Sequence, residues 1–155
     1  MNGAMGGLKK YKFGFDIWGL LLFFAIMIPN VIWFALPAPD DILRADSVTG
    51  TLDAVASVCQ VLMVAALCIC KNIECRKLRL TPLILAVIFC CVLYFASWIA
   101  YYSGLVHVFV ILRLTLPPCL AFLLFSADRK NGIAAVPGVV FAVCHLIYGA
   151  VNFLV

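Results

Sequence analysis

Residues 80–127 read LTPLILAVIFCCVLYFASWIAYYSGLVHVFVILRLTLPPCLAFLLFSA, and the way this run is cut decides the fold. It holds one charged side chain, Arg113, and no acid. A helix crossing a bilayer needs about 20 apolar residues, so the run is too long for one span and suits two. Ser103-Gly104 is the natural turn within it. The predicted spans are therefore 80–102 and 105–127, joined as a tight antiparallel hairpin. Arg113 falls inside hydrocarbon however the run is divided.

Three further stretches have the same character: 17–36, 52–70 and 133–155. Polar breaks at 40–46, 71–79 and 128–131 separate them. The chain has 155 residues, of which 66% are hydrophobic and 12% charged. A soluble domain of this size could not hide so much apolar surface, so its solvent is lipid. The predicted fold is an all-α integral membrane protein, a single membrane domain over residues 1–155 built as a five-transmembrane-helix bundle. A net charge of +4 would elsewhere suggest nucleic acid. Here the basic residues cluster beside apolar spans, where they set orientation, and no nucleic-acid partner is expected.

Lys9, Lys10 and Lys12 precede the first span. Lys71, Arg76, Lys77 and Arg79 lie between the second and third, and Arg129 and Lys130 between the fourth and fifth. The alternate connections carry Asp40, Asp41, Arg44 and Asp46, or no charge. The positive-inside rule then predicts a cytoplasmic N-terminus and an extracytoplasmic C-terminus, in a bacterial cytoplasmic membrane. The first apolar run is longer than a signal peptide's h-region and no A-x-A site closes it, so it is expected to be a retained span. Met5 offers a second start, so residues 1–7 need not belong to the natural chain. Pro82 suits a first helical turn. Thr49 or Thr51 can cap the second span, with Asp53 in its first turn. Trp18, Trp33, Trp98, Tyr101 and Tyr102 sit where interfacial belts sit. Ala96, Ala100 and Gly104 recur every four residues and permit close helix approach, which would suit a homo-oligomer.

Depth along each span can be compared at about 1.5 Å per residue. Arg113 and Gln60 fall at nearly one depth. Asn30, Tyr94, Ser97, His145 and Tyr148 lie between the middle of the bilayer and its outer third, with Trp98 beside them. All five helices thus offer a polar group to one layer, whereas the inner halves are almost wholly apolar. Interhelical hydrogen bonds would explain the neutral groups. A permanent cation in hydrocarbon instead marks a functional site. If Asp53 pairs with Arg113 the site is neutral. If not, it is cationic and grips a carboxylate or phosphate. Pro117 and Pro118 free the carbonyls of Arg113 and Leu114, and Pro29 that of Ala25, as in the broken helices of transporter sites.

Eight cysteines lack any C-x-x-C spacing and read as small buried apolar residues. No H-E-x-x-H, G-x-S-x-G or intramembrane acidic pair occurs, so no catalytic residue, metal or cofactor is expected. The sequence points to a membrane protein that binds a small polar or anionic molecule in an outward-facing cavity. Transport is the expected use, with a ligand sensor or accessory subunit as the alternative. The predicted ligand-binding set is Arg113, Gln60, Asn30, Asp53, Tyr94, His145, Tyr148, Ser97 and Trp98.

Overall fold

Where the surroundings are lipid, every backbone N–H and C=O must be satisfied within the protein, which leaves helices as the natural form for long apolar segments. The computed structural model, which describes residues 10–75 and 77–153, follows this rule. It holds α1 (Ile17–Ala35), α2 (Gly50–Ile69), α3 (Pro82–Tyr102), α4 (Val108–Asp128) and α5 (Gly132–Phe153). All five are long and apolar enough to cross a membrane, so the chain is an integral membrane protein. Lys9, Arg76 and residues 1–7 lie outside the described residues.

The helix starts are set by polar side chains at their N-termini. Asp16 accepts from the Trp18 amide at 3.1 Å ahead of α1. Thr81 accepts from Ile84 N at 3.2 Å, with Pro82 at the first helical position. Asn131 Oδ1 accepts from Ala134 N at 3.1 Å. Each satisfies a donor that the helix cannot reach by itself. Thr49 departs from expectation. It precedes α2 but makes no capping bond, because its hydroxyl accepts from Asn152 Nδ2 at 2.7 Å, tying α2 to the end of α5. Between α3 and α4 the chain turns over 103–107, with Gly104 at φ +82°, a region that side chains rarely adopt. That turn lengthens the predicted connection, and α4 begins at Val108 rather than at residue 105.

α4 is the central helix. Half of its apolar window is buried (50%), against 22% for α1. α3 and α5 pack on either side of α4, α2 packs on α5, and α1 leans chiefly on α2 while touching α3 and α4. Met63, Phe122 and Ala121 are fully enclosed within the bundle, and Tyr101 and Ala134 are equally enclosed toward its two ends. Gly19 lets α1 close on α2, since a Cβ there would stand 3.1 Å from the Leu67 carbonyl oxygen.

A short sheet was not expected. β1 (Tyr11–Phe13) pairs antiparallel with β2 (Cys70–Asn72), in the register Tyr11↔Asn72, Lys12↔Lys71, Phe13↔Cys70. The chain ahead of α1 therefore lies along the end of α2. Gly14 N donates to Ile69 O at 3.0 Å and Asp16 N to Cys68 O at 2.8 Å. This seats Asp16 beside Arg129, whose Nε and Nη2 both donate to Asp16 Oδ2 at 2.9 and 2.7 Å. Both side chains are buried, 8% and 6% exposed. Asn131 Nδ2 adds bonds to the Ala66 and Cys70 carbonyls at 3.0 and 2.8 Å. Asn72 Nδ2 donates to Lys130 O at 2.8 Å. One end of the bundle is thus closed by a polar clasp joining β1, β2, α2 and the α4–α5 turn.

The opposite end is held by Asp41, in the loop after α1. Its carboxylate accepts from Trp33 Nε1 at 2.9 and 3.0 Å, from Arg44 Nε at 2.9 Å and from the Tyr101 hydroxyl at 2.8 Å. Arg44 Nη2 donates to Trp33 O at 2.6 Å, and its guanidinium lies 5.0 Å over the Trp33 ring. Burial pushes the Asp41 carboxyl up, but the bonds from Trp33, Tyr101, Arg44 and the Ala38 amide outweigh it and hold its pKa below the usual value. The aromatic residues expected in an interfacial belt are partly claimed by this clasp. Trp98 and Tyr101 are buried, 6% and 0% exposed, Tyr101 through its bond to Asp41 and Trp98 among the rings of Trp33, Tyr94, Tyr101 and Tyr102.

Candidate functional site

On α2 the residues Asp53, Ser57 and Gln60 are spaced by four and three, which places them on one face of a helix. Opposite stand Asn30, Ile26 and Met27 of α1. The two faces do not close on each other. Between them lies a cavity of about 200 Å³, completed by Tyr94 of α3, Leu114, Pro118 and Phe122 of α4, and Phe141 and His145 of α5. All five helices contribute to its wall. It sits toward the end of the bundle that carries the Asp41 loop, since Asp53 is in the first turn of α2 and Asn30 in the final turns of α1.

The polar groups differ in how far they are already satisfied. Asn30 Nδ2 donates to the Tyr94 hydroxyl at 2.7 Å and to Ile26 O at 2.9 Å. Tyr94 in turn donates to Ile26 O at 3.2 Å. That pair is a closed interhelical link between α1 and α3. Gln60 Nε2 reaches only the Met27 sulfur, at 3.9 Å, and a thioether is a weak acceptor. The side chains of Asp53, Ser57 and His145 make no hydrogen bond among the described residues. A carboxylate, a hydroxyl, an amide and an imidazole therefore face one hollow with spare capacity. Asp53 and Ser57 are exposed while Gln60 and His145 are half-buried, so all four are open to a partner that enters the hollow.

His145 is held in a column of nearly parallel, stacked rings. Phe141 stacks on it at 5.2 Å and 18°, and Tyr148 at 6.2 Å and 8°. Three aromatic rings of the wall, Tyr94, Phe122 and Phe141, stand in the same cavity as the Asp53 carboxylate. Aromatic faces carry negative potential, so rings and carboxylate together favour a cation. Pro118 also lacks the N–H that would satisfy the Leu114 carbonyl one turn earlier.

Of the nine residues predicted for the site, the structure brings five to this cavity: Asn30, Asp53, Gln60, Tyr94 and His145. The other four stand elsewhere. Arg113 is exposed on the outer surface of α4, in a stripe with Phe109, Leu112 and Leu116, which are 64%, 37% and 39% exposed. It lines no part of the cavity and makes no hydrogen bond or ion pair among the described residues. Of the two alternatives left open by the sequence, a pair with Asp53 or a cationic cavity, neither is formed. The reason is helical phase, since Ile111, Leu114 and Thr115 take the buried face of α4. Because α4 starts at Val108, Arg113 lies about 7.5 Å along the helix from that end, within reach of the interface for so long a side chain. Ser97 is buried and donates to Leu93 O of its own helix at 2.8 Å. Trp98 lines a different, lipid-facing groove with Pro29, Ile32 and Phe95. Its Nε1 is buried without a hydrogen bond of acceptable geometry, although its ring meets that of Tyr94 edge-on at 6.3 Å. Tyr148 acts at one remove, by stacking on His145.

Ser57, Met27, Phe122 and Phe141 were not predicted. Ser57 was legible through its spacing between Asp53 and Gln60. The apolar three carry no mark in the sequence that separates them from core. At the other end of the bundle, Cys75 lies beside Lys77, Arg79, Thr81 and Lys130 in a polar recess, and burial pushes its thiol up, away from reactivity.

Comparison with known protein families, curated proteins and solved structures returns no match to this chain.

Proposed function

We propose that the protein binds a small organic cation, or a neutral polar molecule of similar size, in the five-helix cavity and carries it across the membrane. The observation that supports this most is the set of under-satisfied groups facing one hollow, in which Asp53 holds the only formal charge. An anionic ligand loses its support because the one intramembrane cation, Arg113, stands on the outer surface. A cavity of about 200 Å³ is below the usual range of drug-sized pockets, roughly 300–1,000 Å³, and suits a compact ammonium group.

The orientation proposed with this function puts the Asp41 loop outside and the clasp of Asp16 and Arg129 at the cytoplasmic face. It rests on the concentration of Lys10, Lys12, Lys71, Lys77, Arg79, Arg129 and Lys130 at that end. The cavity then opens outward, and α3 and α4 form the tight hairpin across the outer face. Five helices leave few parts to rock against one another, so the transport cycle is assigned to a homo-oligomer.

The test is uptake of radiolabelled tetramethylammonium by proteoliposomes. Wild-type protein should give saturable uptake, and Asp53→Asn should reduce it at least tenfold. Uptake that ignores Asp53 contradicts the proposal. Saturable binding with no flux in the wild type would instead assign the chain to a ligand sensor or accessory subunit.

A further inference from the structure

The wall between α1 and α2 does not end at the cavity. A second groove of about 420 Å³ runs on from it, lined by Phe23, Met27, Gln60, Val61, Val64 and Ala65. Met27 and Gln60 belong to both, so the two spaces form one seam. Its polarity is ordered along its length. Asn30, Asp53, Ser57 and Gln60 occupy the end near the Asp41 loop, while Phe23, Val61, Val64 and Ala65 occupy the end toward the middle of the bundle. From Asn30 to Phe23 the seam runs about 10 Å along α1 at 1.5 Å per residue. The close approach of α1 to α2 at Gly19 and Leu67 lies beyond it, toward the far end of α2.

A molecule lying in one leaflet has the same order, with its polar head near the interface and its hydrocarbon toward the midplane. We infer that the natural ligand is a single-chain amphiphile that enters sideways between α1 and α2. Its ammonium head meets Asp53 and the rings of Tyr94, Phe122 and Phe141, and its chain lies along Phe23, Val61, Val64 and Ala65. This rests on the reading of the cavity proposed above and names the substrate class. The groove's volume of about 420 Å³ suits one hydrocarbon chain better than two. A phosphate beside the head would meet the Asp53 carboxylate with no compensating cation, since Arg113 faces away. Both points favour a single-chain cation over a diacyl phospholipid. Met27 stands at the join, and an unbranched thioether adapts readily to a passing chain.

The test is displacement of labelled tetramethylammonium from the full chain in phosphatidylglycerol nanodiscs, with protein-free discs subtracted. Competitors are tetramethylammonium itself and its octyl- and dodecyl-trimethyl analogues. Affinity should rise with chain length, by at least tenfold for the dodecyl compound. Val64→Trp and Ala65→Phe should each cut that gain to about threefold or less and leave tetramethylammonium affinity unchanged, which also shows that they fold. No gain with chain length in the wild type overturns the inference while leaving the cavity reading intact. A gain that survives both substitutions overturns it too, because the chain then lies elsewhere. If phosphatidylcholine discs abolish the displacement, the occupant is a bilayer lipid and the single-chain assignment is wrong. Failure of tetramethylammonium itself to bind overturns the cavity reading, and this inference with it.

Discussion

Arg129→Met should destabilise the protein by about 3–5 kcal/mol, the usual consequence of removing one partner from a buried ion pair. The reason is the state of Asp16 afterwards. Its side chain is 8% exposed and would lose both guanidinium bonds, while the Trp18 amide still holds the carboxylate and the Asp16 N–H still donates to Cys68 O. Water cannot readily take their place. The effect should spread beyond the pair, because Asp16 seats the segment that carries β1 and starts α1. The double variant Asp16→Leu with Arg129→Met should recover most of the loss, since an apolar pair of similar volume removes the uncompensated charge. A remainder of about 1 kcal/mol should persist from the lost helix cap. Denaturant titration in one detergent, followed by tryptophan fluorescence, measures all three. A single variant within about 1 kcal/mol of wild type would show that the pair is not buried as described.

Asp41→Ala should cost about 3 kcal/mol and unfasten the opposite end. Bonds to a charged group contribute about 1.5–3 kcal/mol each, but those from Trp33, Tyr101 and Arg44 share one carboxylate and will not add. The pH dependence follows from the lowered pKa. A carboxylate whose folded pKa lies below its unfolded value adds stability that is fully present above the unfolded value. It is lost as pH falls through the folded one. Wild-type protein should therefore lose stability on acidification from about pH 5 downward, around and below the ordinary aspartate value of about 3.9. Asp41→Ala should lack that part of the loss. Parallel thermal scans at neutral and acid pH decide it, and equal acid sensitivity in both proteins would assign the loss to other groups.

What the sequence disclosed about each region depended on whether its signal was local. The five spans were visible because twenty apolar residues leave no other form in lipid, and their limits moved only where caps decide them. α4 begins at Val108 because His107 and Gly104 shape the turn, which hydropathy cannot register. The sheet between Tyr11–Phe13 and Cys70–Asn72 was invisible, since three residues give no periodicity. Arg129 was read only as a flanking charge and Asp16 carried no signal of its own, and only the fold brings them together across 113 positions. Asp41 was read only as one charge of the connection after the first span, yet it is the point on which that loop is built.

The site divides along the same line. Depth gathered Asn30, Asp53, Gln60, Tyr94 and His145, which line one cavity, because residues on packed helices at equal depth are neighbours if their faces agree. Arg113 satisfied the depth and failed the face. Helical phase around α4 was ambiguous in the sequence, where Leu, Ile and Thr surround the arginine on every side. Proximity to a helix end also lowers the cost of a cation at the lipid surface, so its presence there needs no ligand.

The central claim is that Asp53, and not Arg113, carries the charge recognition of this protein. Equilibrium binding of tetramethylammonium to the purified chain in nanodiscs tests it most directly, with Asp53→Asn and Arg113→Gln compared side by side. Asp53→Asn should weaken binding at least tenfold, equivalent to about 1.4 kcal/mol, and Arg113→Gln should leave it unchanged. The reverse pattern, with Arg113→Gln weakening binding and Asp53→Asn leaving it intact, would contradict the account.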